Sequence, residues 1–519
     1  MTALTEIVDA SRGVAESSAR SGKVAILAEL LGRLEPGEVA VGVAWLSGVP
    51  RQGRVGVGWS TVRDVDPPPA PAPTLTIAEL DAAIAEIAAA AGDGSAGERR
   101  RRLEGLLASA TAPEAAFIRR LLTGELRQGA LAGVMADAVA RAADVPDPTL
   151  RRALMLSGDL PAVAEVAMRD GTAGLRAVGL QLMRPILPML ASPGAGAAQA
   201  VADFGRASVE HKLDGVRVQI HRRGSEVRVF TRKLNDITAA LPGVVAAALR
   251  LAPTALVLDG EALWMSERGP ASFQETMSQI DADAPPEGVV TFVFDVLHVD
   301  GRDLLDAPLE ERLRELAAIA PELQVPGIVT TDPDAAERVL ADALRAGHEG
   351  VVVKDATSTY AAGRRGRAWR KVKPVRTYDL VVLGADWGHG RRRGWLSNLH
   401  LGARDPAAAS FAMVGKCFKG LTDELLRWQT DALLALPHTR RGISVLVEPA
   451  LVVEIALDGV QSSSRYPGGV ALRFARVRRY RPDKDADAAD TIDDLRALLP
   501  AGRGGRDGED RRTRSSDTA

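Results

Sequence analysis

Two periodicities divide the chain. Up to about residue 180 apolar residues recur at helical spacing in alanine- and leucine-rich segments. Val24 to Leu34 is one such segment; Ile77, Leu80, Ile84 and Ile87 share the face of another, opened by the capping box Thr76-Ile-Ala-Glu79. The proline run Pro67 to Pro73 predicts a loop, and a further helix is expected from near Pro113 through Ile118 and Leu122. The basic run Glu98 to Arg102 reads equally well as a solvated helix face. Leu122-Thr-Gly-Glu-Leu-Arg-Gln-Gly129 precedes a helix predicted from about Ala130 to Ala142. A glycine-bounded turn there would present N–H groups to a phosphate, and a plain helix corner would look the same.

Beyond the proline-punctuated connector Arg184 to Ala191 and the flexible Pro193-Gly-Ala-Gly-Ala, the period becomes two. Val216, Val218 and Ile220 alternate with polar residues, Arg223-Gly-Ser225 turns, and Val227, Val229 and Thr231 alternate again, which predicts a β-hairpin. Leu256 to Ala262, Phe292 to Leu297 and Glu349 to Lys354 read as further strands. From Thr377 a second β-rich stretch begins, with strands expected at Asp379–Gly384, Leu399–Gly402, Phe411–Gly415 and Val445–Leu457 and glycine turns that suit a small barrel.

Composition adds bounds. A chain of 519 residues, 46% hydrophobic and 25% charged, suits about three globular domains. The single cysteine, Cys417, excludes an internal disulfide and a cysteine-rich zinc module and suits a reducing cytosol. The opening residues lack a basic segment followed by an apolar run, so no signal peptide is expected, and no apolar stretch reaches membrane-spanning length. A net charge of −2 gives no whole-molecule basic field, so any nucleic-acid contact must come from local clusters.

Lysine usage changes the picture. Only nine of the 65 basic residues are lysine, and none lies between Lys23 and Lys212. A solvated surface lysine is the ordinary alternative. Yet a chain that writes arginine wherever a generic cation suffices has kept, at Lys212, the one cation that can lose its proton and become a nucleophile. Further on, Leu256 to Ala262 ends in the acids Asp259 and Glu261, which call for a partner such as a hard cation. Glu349 and Lys354 bracket a β-branched strand at odd separation, on opposite faces of a regular strand, which argues against a simple surface ion pair between them. Lys371 and Lys373 would stand side by side on one strand face, unfavourable unless an anion sits between them. There is no Gly-x4-Gly-Lys-Ser/Thr loop, so a P-loop ATPase is not supported.

Lys212-x-Asp-Gly-x-Arg217 resembles motif I of the covalent nucleotidyltransferases, the superfamily of DNA ligases, RNA ligases and mRNA capping enzymes. Motifs resembling the rest of that series follow in order: Thr231-Arg232 (Ia), Asp259-Gly-Glu261 (III), Phe292 to Leu297 (IIIa), Glu349 to Lys354 (IV), Trp369 to Lys373 (V) and Leu472 to Lys484 (VI). Arginine at 370 and alanine at 475 depart from the usual residues. The resemblance implies that Lys212 is the nucleophile. It implies that Glu210, Arg217, Arg232, Glu261, Phe294, Lys354, Arg365, Lys371 and Lys373 bind ATP, and that Glu261 and Glu349 hold Mg²⁺, with Mn²⁺ as an alternative. Arg473, Arg476, Arg481, Asp483 and Lys484 would orient the pyrophosphate.

The flanks separate the rivals. An NAD-dependent ligase would need four zinc cysteines, a capping enzyme has no use for the helical N-terminal part, and an RNA ligase usually lacks the motif VI end. The chain therefore resembles the three-domain ATP-dependent DNA ligases. That implies a multidomain fold: an all-α DNA-binding domain over 1–183, an α+β nucleotidyltransferase (adenylation) domain over 184–375, a C-terminal β-barrel OB-fold domain over 376–498, and a disordered tail over 499–519. It also implies DNA contacts by Arg127, Gly129, Arg391 and Lys416, nicked duplex DNA as partner and a monomer that encircles it; alanine- and arginine-rich usage points to a GC-rich bacterial genome, hence an expected location in the bacterial cytosol at the nucleoid. A capping-type or RNA-ligase activity, or a catalytically dead nick-binding protein, are the other readings.

Overall fold

The computed structural model describes residues 1–499 apart from Arg54, 127–131, 267–268, 271–275, 278–287, 362–364 and Val375; at Ser266, Gly269 and Arg365 only the backbone is described. It forms two compact units, one running from Met1 to Val372 and one beginning at Lys373.

The first unit begins with helices, among them Leu4–Glu16, Arg20–Leu31, Val39–Leu46, Ile77–Ala89, Ala112–Leu122, Ala132–Ala142, Asp147–Ser157 and Leu160–Arg176. The expected periodic faces do the burying: Ile77, Leu80, Ile84, Ile87, Phe117 and Ile118 are fully enclosed in one apolar cluster. Thr76 caps its helix as the sequence predicts, accepting from the Glu79 amide while Glu79 accepts from the Thr76 amide. The turn before Ala132–Ala142, with Arg127 and Gly129, lies outside the described residues, as does the tail from residue 500.

The rest of this unit is built on two sheets. The first comprises β1 (Leu190–Pro193), β2 (Ala207–Lys212), β9 (Gly327–Thr330), β10 (Gly350–Asp355) and β11 (Arg365–Val372), in the order β1-β11-β10-β2-β9. Helices Ala197–Phe204 and Pro333–Arg345 cover it with alanine and valine. The second contains β3 (Val216–Arg223), β4 (Glu226–Thr231), β5 (Ala255–Ser266), β6 (Gly269–Pro270), β7 (Val289–Val299) and β8 (Arg302–Asp303), in the order β4-β3-β5-β7-β8, with β6 paired to β5. Helices Pro242–Arg250 and Leu309–Ile319 cover its apolar side. The predicted hairpin is β3–β4, paired from Val218↔Thr231 to Arg223↔Glu226.

The second unit is β-rich. Its long strand β12 (Arg376–Trp387) pairs with β13 (Leu396–Asp405), β16 (Ser444–Val447) and β17 (Val452–Leu457); β14 (Ser410–Cys417) extends the sheet beyond β13, β15 (His438–Arg441) beyond β16, and β20 (Arg476–Tyr480) beyond β17. β18 (Gly459–Ser462) and β19 (Val470–Arg473) form a separate ribbon, and helix Asp423–Ala435 packs Leu426 and Leu433 into the same apolar cluster as the strands. The stretch Val445 to Leu457, expected as one strand, is two. Pro449 has no N–H for a ladder, and the chain breaks there.

On the β12 sheet one carboxylate gathers a polar cluster. Asp386 accepts from Lys416 at 2.8 Å, His400 Nε2 at 2.8 Å, Ser444 at 2.6 Å and Asn398 at 3.1 Å, and is almost wholly buried. Burial pushes its carboxyl up, but the hydrogen bonds from Lys416, Ser444 and His400 outweigh this and hold the pKa at about 2, against an ordinary 3.8. A depressed carboxyl stabilises the fold above its unfolded pKa and ceases to as pH falls through the folded one. Asp386→Ala is therefore expected to cost ~3 kcal/mol near neutrality. In urea unfolding of the second unit, wild type and variant should converge as pH drops from about 4 to about 2.

Candidate active site

β2 and β10 run antiparallel with Gly350 opposite Lys212 and Val352 opposite Glu210, while β11 sets Lys371 opposite Val352 and Trp369 opposite Lys354. This register gathers motifs I, IV and V on one sheet. The neighbouring sheet brings Arg217 on β3 opposite Glu261 on β5, with Phe292 of β7 beyond it. Two glycines allow the close approach. A Cβ on Gly215 would stand 2.4 Å from the Ala262 carbonyl oxygen, and one on Gly260 2.4 Å from that of Phe292. Between the sheets lies a cavity of about 640 Å³, lined by Glu210, Lys212, Asp214, Arg217, Arg232, Glu261, Phe294, Lys354, Trp369 and Lys371 among others.

Inside it the charges are paired. Lys212 Nζ lies 2.5 Å from Glu349 Oε2 and 3.2 Å from the Leu213 carbonyl oxygen. Burial works to strip its proton, but Glu349, Glu261 and Asp214 outweigh burial and raise its pKa. The neutral amine that a nucleophile needs is therefore not the resting form: this lysine is an ammonium, because carboxylates surround it. Glu261 accepts from the Gly215 N–H at 2.9 Å, and burial pushes its carboxyl up to about 7 against the pull of Lys212. Glu210 accepts from Ser208 at 2.7 Å and pairs with Lys354 at 2.5 Å. The Lys354 ammonium, only 2% exposed, stands 4.4 Å from the ring centres of both Phe294 and Trp369. Its surroundings are thus aromatic and carboxylate.

Arg217 is held in a fork. Its Nε and Nη2 donate to Asp259 at 3.0 and 2.6 Å, and Nη1 donates to the Met189 carbonyl at 2.6 Å. The Tyr360 hydroxyl donates to Asp259 at 2.7 Å and accepts from the Met189 N–H at 3.0 Å. The partner of Asp259 is therefore an arginine, where the sequence suggested a hard cation. Asp295, next to Phe294, is paired in the same way with the fully buried Arg312, at 2.7 and 2.9 Å.

Of the other expected residues, Arg232 lies exposed at the cavity wall, and the Arg365 side chain is outside the described residues. Lys371 lies on the strand and Lys373 just past its end. The strand ends at Val372, just before Lys373-Pro374, and Lys373 opens the second unit with its ammonium 3.9 Å from Asp458. In that unit Arg481 and Lys484 both meet Asp379 Oδ2, at 2.8 and 2.6 Å, and Arg481 also pairs with Asp483 at 2.7 Å. Arg473 ends β19 and Arg476 begins β20, the latter exposed. Arg391 is exposed, 3.1 Å from Asp423, and Lys416 is tied to Asp386. Sequence reading missed the roles of Asp259, Arg312, Ser208 and Met189. Only Asp259 carried a signal, as the unexplained acid of Asp-Gly-Glu.

No group of three or more His, Cys, Asp or Glu suited to a metal occurs among the described residues. Glu261 and Glu349 nevertheless both act on Lys212. An all-oxygen pair of carboxylates fits a hard divalent ion that takes its remaining ligands from phosphate and water.

Comparison with known proteins places the chain in a family. The model described as ATP dependent DNA ligase domain matches residues 188–373, that of the ATP dependent DNA ligase C terminal region 392–484, and that of the DNA ligase N terminus 59–140. A probable DNA ligase of Rhodococcus opacus (strain B4) is 55% identical over 499 residues, covering 96% of this chain and 99% of the relative. One of Nocardia farcinica (strain IFM 10152) is 53% identical over 519, covering 95% and 99%. The solved structure Pmar-Lig_Pre shares the fold, with a TM-score of 0.59 at 19% identity over 92% of this chain and 99% of that one. The chain belongs to the ATP-dependent DNA ligase family: its middle is a nucleotidyltransferase domain followed by a β-rich C-terminal region, and as an enzyme it is an ATP-dependent DNA ligase.

Tyr360→Phe removes the hydroxyl between Asp259 and the Met189 amide and leaves that buried N–H unpaired. A loss of about 1–2 kcal/mol in urea unfolding is expected. An unchanged midpoint would mean that the hydroxyl contributes nothing to holding this corner.

Proposed function

We propose that the enzyme seals nicks in duplex DNA through a covalent Lys212–AMP intermediate, with the cavity between the two sheets as its ATP site. The observation that carries this reading is the convergence on one cavity of a half-buried lysine, Lys212, with Glu261 and the further cations Arg217, Arg232 and Lys371, while Glu349 pairs with the lysine at 2.5 Å. Lys212 first gives up a proton, and Glu349, 2.5 Å away, is the acceptor in place. The amine then attacks the α-phosphorus of ATP; a P–N bond forms, the bond to the bridging oxygen breaks, and pyrophosphate leaves. A 5′-phosphate oxygen of a nick then attacks this phosphorus; a P–O bond forms, the P–N bond breaks, and the Lys212 amine is released. The 3′-hydroxyl attacks that phosphate and expels AMP.

Within this reading Phe294 and Glu210 flank the base, Arg217 and Glu261 face the ribose or the nick phosphate, and Lys371 faces the α-phosphate. Mg²⁺ held by Glu261 and Glu349, or Mn²⁺ in its place, would neutralise phosphate charge as it builds. Lys354 can serve a phosphate only after leaving Glu210, a change of partner that the substrate's own charge would favour. In the second unit the reading assigns Arg473, Arg476, Arg481, Asp483 and Lys484 to the pyrophosphate, of which Arg481 and Lys484 are paired with Asp379 here.

The same reading takes the helices over 1–183 as an all-α DNA-binding domain, 184–375 as the adenylation domain, and 376–498 as an OB-fold domain whose Arg391 and Lys416 meet the DNA backbone. It makes the enzyme a cytosolic monomer that closes around nicked duplex. The strand order around β12, extended on either side by β14 and β20, supports the barrel. No helix among the described residues is long and apolar enough to cross a membrane.

Incubation with α-labelled ATP, GTP or NAD⁺, followed by denaturing electrophoresis, tests the first step. ATP alone should label the chain, and Lys212→Ala should abolish the label while leaving nicked-duplex binding intact. Label from GTP would turn the reading to a capping-type enzyme. No label at all would turn it to a catalytically dead nick-binding protein.

A further inference from the structure

Three alternate residues of β3, namely Arg217, Gln219 and His221, share one strand face, and each bonds the backbone of the connector that enters the sheets from the helices. Arg217 Nη1 donates to the Met189 carbonyl at 2.6 Å. Gln219 Oε1 accepts from the Ile186 N–H at 2.8 Å, and Gln219 Nε2 donates to the Ile186 carbonyl at 3.3 Å. His221 Nδ1 accepts from the Met183 N–H at 3.1 Å, and its Nε2 meets Gln219 Oε1 at 2.8 Å. Every third connector residue is thus read by every second strand residue. On its other side the connector is tied to helix Asp147–Ser157: the Leu187 N–H donates to the Met155 carbonyl at 2.9 Å, and Arg184 donates to the Ser157 carbonyl at 3.2 Å and hydroxyl at 3.0 Å.

Only Arg217 of the three lines the cavity, while Gln219 and His221 are buried behind it. Their bonds are not interchangeable with water, because both side chains are enclosed. Burial also pushes the His221 imidazole down to about 3, which keeps Nδ1 an acceptor throughout the neutral range. The connector that carries the Met189 carbonyl is thus held at Ile186 and Met183 by two residues that do not line the cavity, while Tyr360 holds the Met189 N–H.

We infer that Gln219 and His221 are positioning residues of the nucleotide site, fixing the direction of the Arg217 guanidinium through the connector backbone and tying that site to the helices. This rests on reading the cavity as the ATP site. A side chain that acts through Arg217 has nothing left to do once Arg217 is gone, whereas one that merely stabilises the fold lowers activity in either background.

The test is a double-mutant cycle on kcat/KM for enzyme adenylylation by labelled ATP, run on the full chain. Gln219→Met should lower it about ten-fold in the wild type and less than about two-fold when Arg217 is already Ala. Equal losses in the two backgrounds would overturn the inference. A second pair guards against misfolding: His221→Asn keeps an acceptor for the Met183 N–H and should recover the activity that His221→Leu loses. Equal activity of these two variants would also overturn it. If the wild type takes no label from ATP, the nucleotide reading of the cavity falls first, and this inference with it.

Discussion

Charge brought out of water has to be paired, and the catalytic part of this protein is organised by that requirement. Lys212 with Glu349, Lys354 with Glu210, Arg217 with Asp259 and Arg312 with Asp295 all lie in or beside the wall of one cavity, each of the acids largely enclosed. Any one of these ions alone would be strongly unfavourable there, whereas together they fix one another. They also define how a polyanionic substrate can enter. On the proposed reading a nucleotide would exchange partners with the resident pairs, and its cations would be oriented before it arrives.

The backbone makes such crowding possible. Antiparallel register between β2, β10 and β11 delivers Glu210, Lys212, Lys354 and Lys371 from segments far apart in sequence. Gly215 and Gly260 remove the Cβ atoms that would otherwise strike neighbouring carbonyls. The connector Met183 to Met189 adds a third layer of restraint, since its main chain bonds the same strand, β3, that carries Arg217. The helical part and the cavity accordingly belong to one compact unit.

The second unit applies the same rule to different residues. Lys416, Arg481 and Lys484, which look in sequence like cations held out to a polyanion, are each bonded to an almost buried carboxylate, Asp386 or Asp379. A lysine or arginine held this way has already lost its rotamer freedom. It offers direction more than net attraction, which suits a chain whose net charge is −2.

Much of this was open to reading from the residues. Periodicity alone predicted the capped helix at Thr76, the β3–β4 hairpin and the β-rich second unit, because local spacing decides which face is buried. The rarity of lysine singled out Lys212 because only lysine offers a cation that can become a nucleophile. Partnership was not legible. That Asp259 pairs with Arg217, that Arg312 neutralises Asp295, and that Lys373 falls beyond its strand depend on which segments meet across a sheet. The protonation state of Lys212 follows from the same cause. Burial by itself predicts a neutral amine, and three-dimensional packing, by setting Glu349, Glu261 and Asp214 around it, reverses the sign.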